Sequence, residues 1–175
     1  MTKPNLIYIL ADDMGYGDIS ALNENCGFRT PNLDEMAENG ICFTDAHATA
    51  AVCTPSRYGI LTGRYNWRSR LKSSVMGGYS EPLIERGRKT LADMLKDNGY
   101  RTAMVGKWHL GMSFAKEEGF VEKPDFDASD HVDYAGKIED SPVSYGFEYF
   151  YGISASLDMP PYIYIENDHF TALPD

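Results

Sequence analysis

Thr90-Leu91-Ala92-Asp93-Met94-Leu95-Lys96-Asp97-Asn98-Gly99, followed after Tyr100 by Arg101-Thr102-Ala103-Met104-Val105, is the stretch from which the fold class can be read. Thr90 is a capping residue, Leu91, Met94 and Leu95 recur at helical spacing, and Gly99 is a stop. The spacing predicts a helix over 90–98 that feeds a buried strand over 101–105. The same order appears upstream. Pro31 precedes residues 32–39, where Leu33, Met36 and Ala37 form one helical face, Gly40 ends it, and 41–46 reads as a strand. Near the start, Leu6-Ile7-Tyr8-Ile9-Leu10 is a short apolar run of the kind expected for a strand buried on both faces. Alternating strands and helices predict an α/β fold, a mostly parallel sheet flanked by helices on both faces. Residues 145–151 and 162–165 cluster aromatics as further sheet positions do.

Polar groups stand where these strands end. The run 6–10 delivers Asp12 and Asp13, and Met14-Gly15-Tyr16-Gly17-Asp18 follows. Adjacent carboxylates repel, and a hard cation such as calcium or magnesium between them removes that cost; a strand-capping turn is the competing reading. The strand over 101–105 ends in Gly106-Lys107-Trp108-His109-Leu110-Gly111. Open α/β sheets bind ligands beyond the carboxyl ends of their strands, so Asp12, Asp13, Lys107 and His109 are candidate neighbours. Between them lies Cys53-Thr54-Pro55-Ser56-Arg57. Pro55 suits a first helical turn and Gly63 a stop, which places Cys53 near a helix N-terminus. There the dipole and the Arg57 guanidinium favour negative charge. An inert buried thiol is the alternative.

Taken together, Ala11-Asp12-Asp13-Met14-Gly15-Tyr16-Gly17-Asp18, Cys53-Thr54-Pro55-Ser56-Arg57, Leu61-Thr62-Gly63-Arg64 and Gly106-Lys107-Trp108-His109-Leu110-Gly111 resemble, in order, the signatures of type I sulfatases. This is the formylglycine-dependent family of the alkaline phosphatase superfamily, and the resemblance is to its arylsulfatase A-like and N-acetylgalactosamine-6-sulfatase-like members. It spans residues 4 to 160. It implies that Cys53 is oxidised to formylglycine by a sulfatase-maturing enzyme, the hydrated aldehyde supplying the attacking hydroxyl. Asp12 and Asp13 would bind calcium together with the oxygens of residue 53, and Arg57 would hold and activate that residue. Lys107 would neutralise a sulfate oxygen, and His109 would help collapse the sulfated intermediate back to aldehyde. Gly152-Ile153-Ser154-Ala155-Ser156 fits a Gly-Ile-x-x-Ser pattern, which implies that Ser156 contacts substrate. Members of the family are longer and bring later metal ligands, so 1–175 reads as the N-terminal part of the catalytic domain. Asn167-Asp168 does not match the later ligand pair, and His169 reads as a surface histidine.

Composition bounds the rest. The chain of 175 residues is 43% hydrophobic and 13% aromatic, enough for a core, and its net charge of −10 argues against nucleic acid as the main partner. Arg64, Arg68, Arg70 and Lys72, interleaved with Tyr65 and Trp67, form a local basic patch, read as a solvated face or a contact for sulfated substrate. The start shows no signal peptide and the chain no membrane span, and localisation stays open, export of a longer parent included. Cys26, Cys42 and Cys53 are an odd count without metal-type spacing, and Cys42 reads as a core thiol; a Cys26–Cys42 disulfide is the less favoured reading. The acidic, turn-rich stretch 112–145, with His131 among Asp125, Asp127, Asp130 and Asp133, reads as a solvated insertion at a substrate rim, with a metal loop as the alternative.

The reading is therefore a sulfuric ester hydrolase acting on a sulfated carbohydrate through formylglycine and calcium. Two alternatives are a phosphonate or phosphate monoester hydrolase of the same superfamily, and a piece without turnover that only binds sulfated glycans.

Overall fold

The structure is a computed structural model, and it describes residues 3–121, 129 and 131–174. The chain forms two compact units, Met1–His47 and Ala48–Asp175.

In the first unit, Pro31 opens helix α1 (Pro31–Asn39). The Asp34 carboxylate accepts from Ser20 Oγ at 2.6 Å, Ala21 N at 2.8 Å and Thr30 Oγ1 at 2.9 Å, which ties the helix to the loop before it. These bonds, that of Ser20 foremost, hold the Asp34 carboxyl below its ordinary range. The two strands expected in this unit are absent among the described residues. Residues 6–10 are unpaired and exposed, Ile7 at 87% and Ile9 at 77%. Residues 41–46 are likewise irregular, with Ile41, Cys42 and Phe43 exposed, so Cys42 is not a core thiol. An apolar run becomes a buried strand only where a neighbouring strand completes its hydrogen bonds. Among its described residues the first unit offers none.

In the second unit, helix α2 covers Cys53–Thr62 and α3 covers Leu91–Asp97. Thr90 caps α3 as its hydroxyl predicts. Its Oγ1 accepts the Asp93 N–H at 3.2 Å, its own N–H donates to Asp93 Oδ2 at 2.9 Å, and its hydroxyl reaches Tyr145 O at 2.7 Å. Strand β1 (Ala103–Lys107) follows and pairs in parallel with β2 (Tyr149–Ile153), Ala103 opposite Tyr149 and Lys107 opposite Ile153. Short strands β3 (Ile165–Glu166) and β4 (His169–Phe170) add antiparallel, in the order β1-β2-β3-β4. The class is α/β, and the sheet is mixed. Strand β1 is the first in that order, with Val105 74% exposed.

Asn167 explains itself as the turn of the β3–β4 hairpin. It adopts a left-handed φ of 55°, donates its N–H to Phe150 O at 2.8 Å and accepts the Phe150 N–H on Oδ1 at 3.0 Å. His169, exposed, bonds Asp168 at 2.8 Å.

The core gathers Tyr58, Trp108, Leu110, Met112, Phe150 and Ile165. Trp108 is 1% exposed, stacks on Tyr145 at 5.6 Å and donates its indole N–H to Gly111 O at 2.9 Å. Removing such a side chain costs about 3–5 kcal/mol. Burial pushes the Tyr145 phenol up to about 12. The 112–145 stretch also contributes Phe114, Val132 and Ile138 to this core, and Ser113 bridges to Glu139 and Lys116 to Val132. His131 pairs with Glu117 at 2.9 Å and stacks on Phe120 at 4.8 Å. Asp125, Asp127 and Asp130 lie outside the described residues.

Candidate active site

Val52 is extended, at φ −136°, and Cys53 is the first residue of α2. Ser56 N and Oγ both bond Val52 O, at 3.2 and 2.8 Å, which closes the first turn. At the other end Gly63, at φ 64°, donates its N–H to Gly59 O at 2.9 Å and stops the helix. The half-buried Cys53 therefore stands at the positive end of the helix dipole, as the Pro55–Gly63 spacing predicts.

Hydrogen bonds fasten this helix to the end of β1. Arg57 Nη1 donates to Lys107 O at 2.6 Å, and Thr54 Oγ1, fully buried, donates to His109 O at 2.9 Å. The parallel pairing of β1 and β2 continues past both strands, with Trp108 N bonded to Ile153 O at 3.0 Å and His109 N to Ser154 O at 2.8 Å. That register runs the two strand ends side by side. It brings Lys107 Nζ to 3.1 Å from Ser156 Oγ, so two residues 49 apart in sequence meet. An ammonium only donates, so Ser156 Oγ accepts and its own O–H is left to donate elsewhere.

His109 is fully buried and has a left-handed φ of 59°, a conformation uncommon outside glycine. Its Nε2 lies 2.7 Å from Met76 O. A carbonyl only accepts, so Nε2 bears the proton, and in the neutral ring the lone pair is on Nδ1. Thr54 and Met76 were not legible in the sequence as part of this cluster. The only signal for Thr54 was its place inside the Cys53–Arg57 pentapeptide, and nothing marked Met76.

Most of the basic patch is occupied with the protein itself. Arg64 Nη1 bonds Glu85 at 3.2 Å, Arg70 Nη2 bonds Glu81 O at 2.5 Å, and Lys72 Nζ bonds Trp67 O at 2.8 Å. Burial would raise the Glu85 carboxyl, but its hydrogen bonds, that of Arg88 included, outweigh it and hold the group below its ordinary range. Arg68 is exposed beside Tyr65 and Trp67, whose rings stack at 4.0 Å.

Asp12 and Asp13 belong to the first unit, where both are exposed and Asp13 has a left-handed φ of 60°. Among the described residues no group of three or more His, Cys, Asp and Glu side chains is arranged to hold a metal ion. Two adjacent carboxylates offer the oxygen chemistry calcium uses, short of the six to eight ligands it takes.

The second unit thus belongs to the α/β class whose polar groups assemble at the carboxyl ends of parallel strands. The sulfatase family model matches residues 4–170, and the chain belongs to the sulfatase family. It is 41% identical over 171 residues to an N-acetylgalactosamine-6-O-sulfatase of Bacteroides thetaiotaomicron, a match covering 98% of this chain and 30% of that protein. It is 38% identical over 158 residues to human steryl-sulfatase, covering 87% of this chain and 24% of that one. A solved Bacteroides thetaiotaomicron structure, described under metabolism of multiple glycosaminoglycans, superposes with a TM-score of 0.81 at 41% identity, covering 98% of this chain and 32% of that one. The architecture is accordingly the alkaline phosphatase-like α/β fold of sulfatases. The chain spans about a third or less of the length of these relatives. No helix among the described residues is long and apolar enough to cross a membrane.

Proposed function

We propose that this chain supplies the nucleophile and sulfate-binding groups of an enzyme that hydrolyses sulfate esters of a carbohydrate. The observation that supports it most is the fastening of the Cys53 helix start to the Lys107–His109 strand end through Arg57 and Thr54, with Lys107 bonded to Ser156. The carbohydrate is inferred from a relative named N-acetylgalactosamine-6-O-sulfatase and from a solved structure described under metabolism of multiple glycosaminoglycans.

In this reading a sulfatase-maturing enzyme converts Cys53 to formylglycine, whose hydrated aldehyde supplies an attacking hydroxyl. Arg57 orients residue 53 from one turn along α2. The Lys107 ammonium faces a sulfate oxygen, and the Ser156 hydroxyl, accepting from Lys107, donates its own proton to a second oxygen. His109, protonated on Nε2 by its bond to Met76 O, takes a proton at Nδ1 from the hydroxyl of residue 53 when sulfate is released. Asp12 and Asp13 would contribute two carboxylate oxygens to a calcium ion, which supplies Lewis-acid polarisation of the sulfate when bound.

The test is turnover of nitrophenyl sulfate, phosphate and phosphonate by the full-length protein, with peptide mass spectrometry at residue 53. An aldehyde at residue 53, sulfate turnover exceeding the other two, and no turnover in a folded Cys53→Ala variant are expected. Faster phosphate or phosphonate hydrolysis would assign the other chemistry, and glycan binding without turnover of any ester a binding role. Activity with an unmodified thiol would overturn the nucleophile.

A further inference from the structure

We infer that Thr54 is a positioning residue for His109, holding its backbone and setting the tautomer of its ring. Three segments meet at one closed set of bonds. Thr54 Oγ1, at the start of α2, donates to His109 O at 2.9 Å and accepts the Met76 N–H at 3.1 Å. Met76 O in turn accepts from His109 Nε2 at 2.7 Å. All three residues are buried, Thr54 and His109 fully and Met76 at 4%. The hydroxyl has one proton and here uses it, so its orientation is fixed by its two partners.

The consequence lies at His109. Its left-handed backbone is uncommon outside glycine, and the surroundings hold it. Holding comes from both sides of the residue: Ser154 O takes its N–H at 2.8 Å, and Thr54 takes its carbonyl. The same hydroxyl pins the peptide of Met76, whose carbonyl keeps the proton on Nε2. Without it, the Met76 carbonyl can rotate away and the imidazole can exchange its proton between nitrogens. Ring groups positioned through such outer partners lose one to two orders of magnitude in activity when the partner is removed.

The inference rests on the proposed role of His109, and the experiment separates the two. In the full-length protein, kcat and KM for nitrophenyl sulfate are measured across pH, with kcat expressed per aldehyde at residue 53, because Thr54 lies inside the sequence that is modified. Thr54→Val keeps the shape and removes the hydroxyl. It is expected to lower kcat about 10- to 100-fold with KM within about threefold, and to shift the pH profile. Thr54→Ser, which restores the hydroxyl, should return kcat to within about threefold of wild type and restore the profile. His109→Ala and the double variant Thr54→Val/His109→Ala should have equal kcat, because one acts through the other. If Thr54→Val does not fold, Thr54→Ala takes its place with the same expectations. Wild-type kcat and pH profile in the hydroxyl-less variant, or losses that multiply in the double variant, would overturn the positioning role. Full activity in His109→Ala would instead overturn the reading of His109 on which it rests.

Discussion

Lys107 shows how a single residue is placed by its neighbours. It is the last residue of β1, half-buried, with its carbonyl taken by Arg57 and its ammonium at 3.1 Å from Ser156. A cation held in this way, rather than swinging in solvent, can meet a developing charge without reorganising. Lys107→Ala in the full-length protein is expected to lower kcat by roughly 10² to 10⁴, for a small aryl sulfate as well as for a glycan, with smaller changes in KM. A change confined to KM for one glycan would move Lys107 to the specificity rim. The residue types were legible in the sequence: Cys53, Arg57, Lys107 and His109 stand in short motifs whose chemistry is narrow. Their mutual contacts were not, because Arg57 and Lys107 are 50 residues apart and meet through the seating of α2, while Lys107 and Ser156, 49 apart, meet through the β1–β2 register.

At the scale of elements, the loop after β1 is shaped by what packs beneath it. Trp108 turns inward between Lys107 and His109, and the chain then bends back at Gly111, where φ is 76°. A Cβ at Gly111 would lie 2.2 Å from Glu81 O, a backbone atom with little room to retreat, since Leu83 N bonds Leu110 O and Met112 N bonds Ser80 O on either side. Both the conformation and the space demand glycine there. Gly111→Ala is expected to destabilise the protein by about 1–3 kcal/mol or more, read as a fall in Tm, and to weaken turnover by displacing His109. An unchanged melt would mean that the 80–83 segment yields easily. Helices α1, α2 and α3 followed from proline, cap and glycine signals that act within a few residues. The runs 6–10 and 41–46 failed as strands for the opposite reason: apolar pattern states what a segment can bury and leaves open whether a partner is present.

For the molecule as a whole, the charge distribution sets the expectation. Asp12 and Asp13 add to a net charge of −10, and paired carboxylates repel unless a cation lies between them. In the full-length protein, calcium at about 100 times its Kd should stabilise the fold by roughly 2.7 kcal/mol, raising Tm, and Asp13→Ala should reduce that rise. An equal rise in both would place calcium on other ligands. In the 175-residue chain alone the rise should be small, since two carboxylates are far short of a full calcium shell.

By itself the sequence determined the α/β class, the three helices, the sulfatase signatures and the residue types at each motif, because capping, turn chemistry and helical periodicity operate over a few neighbours. The tertiary structure alone decided that the sheet is mixed, that Asn167-Asp168 is a hairpin turn, and that most of the basic patch binds the chain's own carboxylates and carbonyls. It also decided that Thr54, Met76 and His109 close on one another. Those bonds join residues 22 to 55 positions apart, and no local rule ranks such pairings. They form only once strand register and helix docking have fixed where each backbone group points.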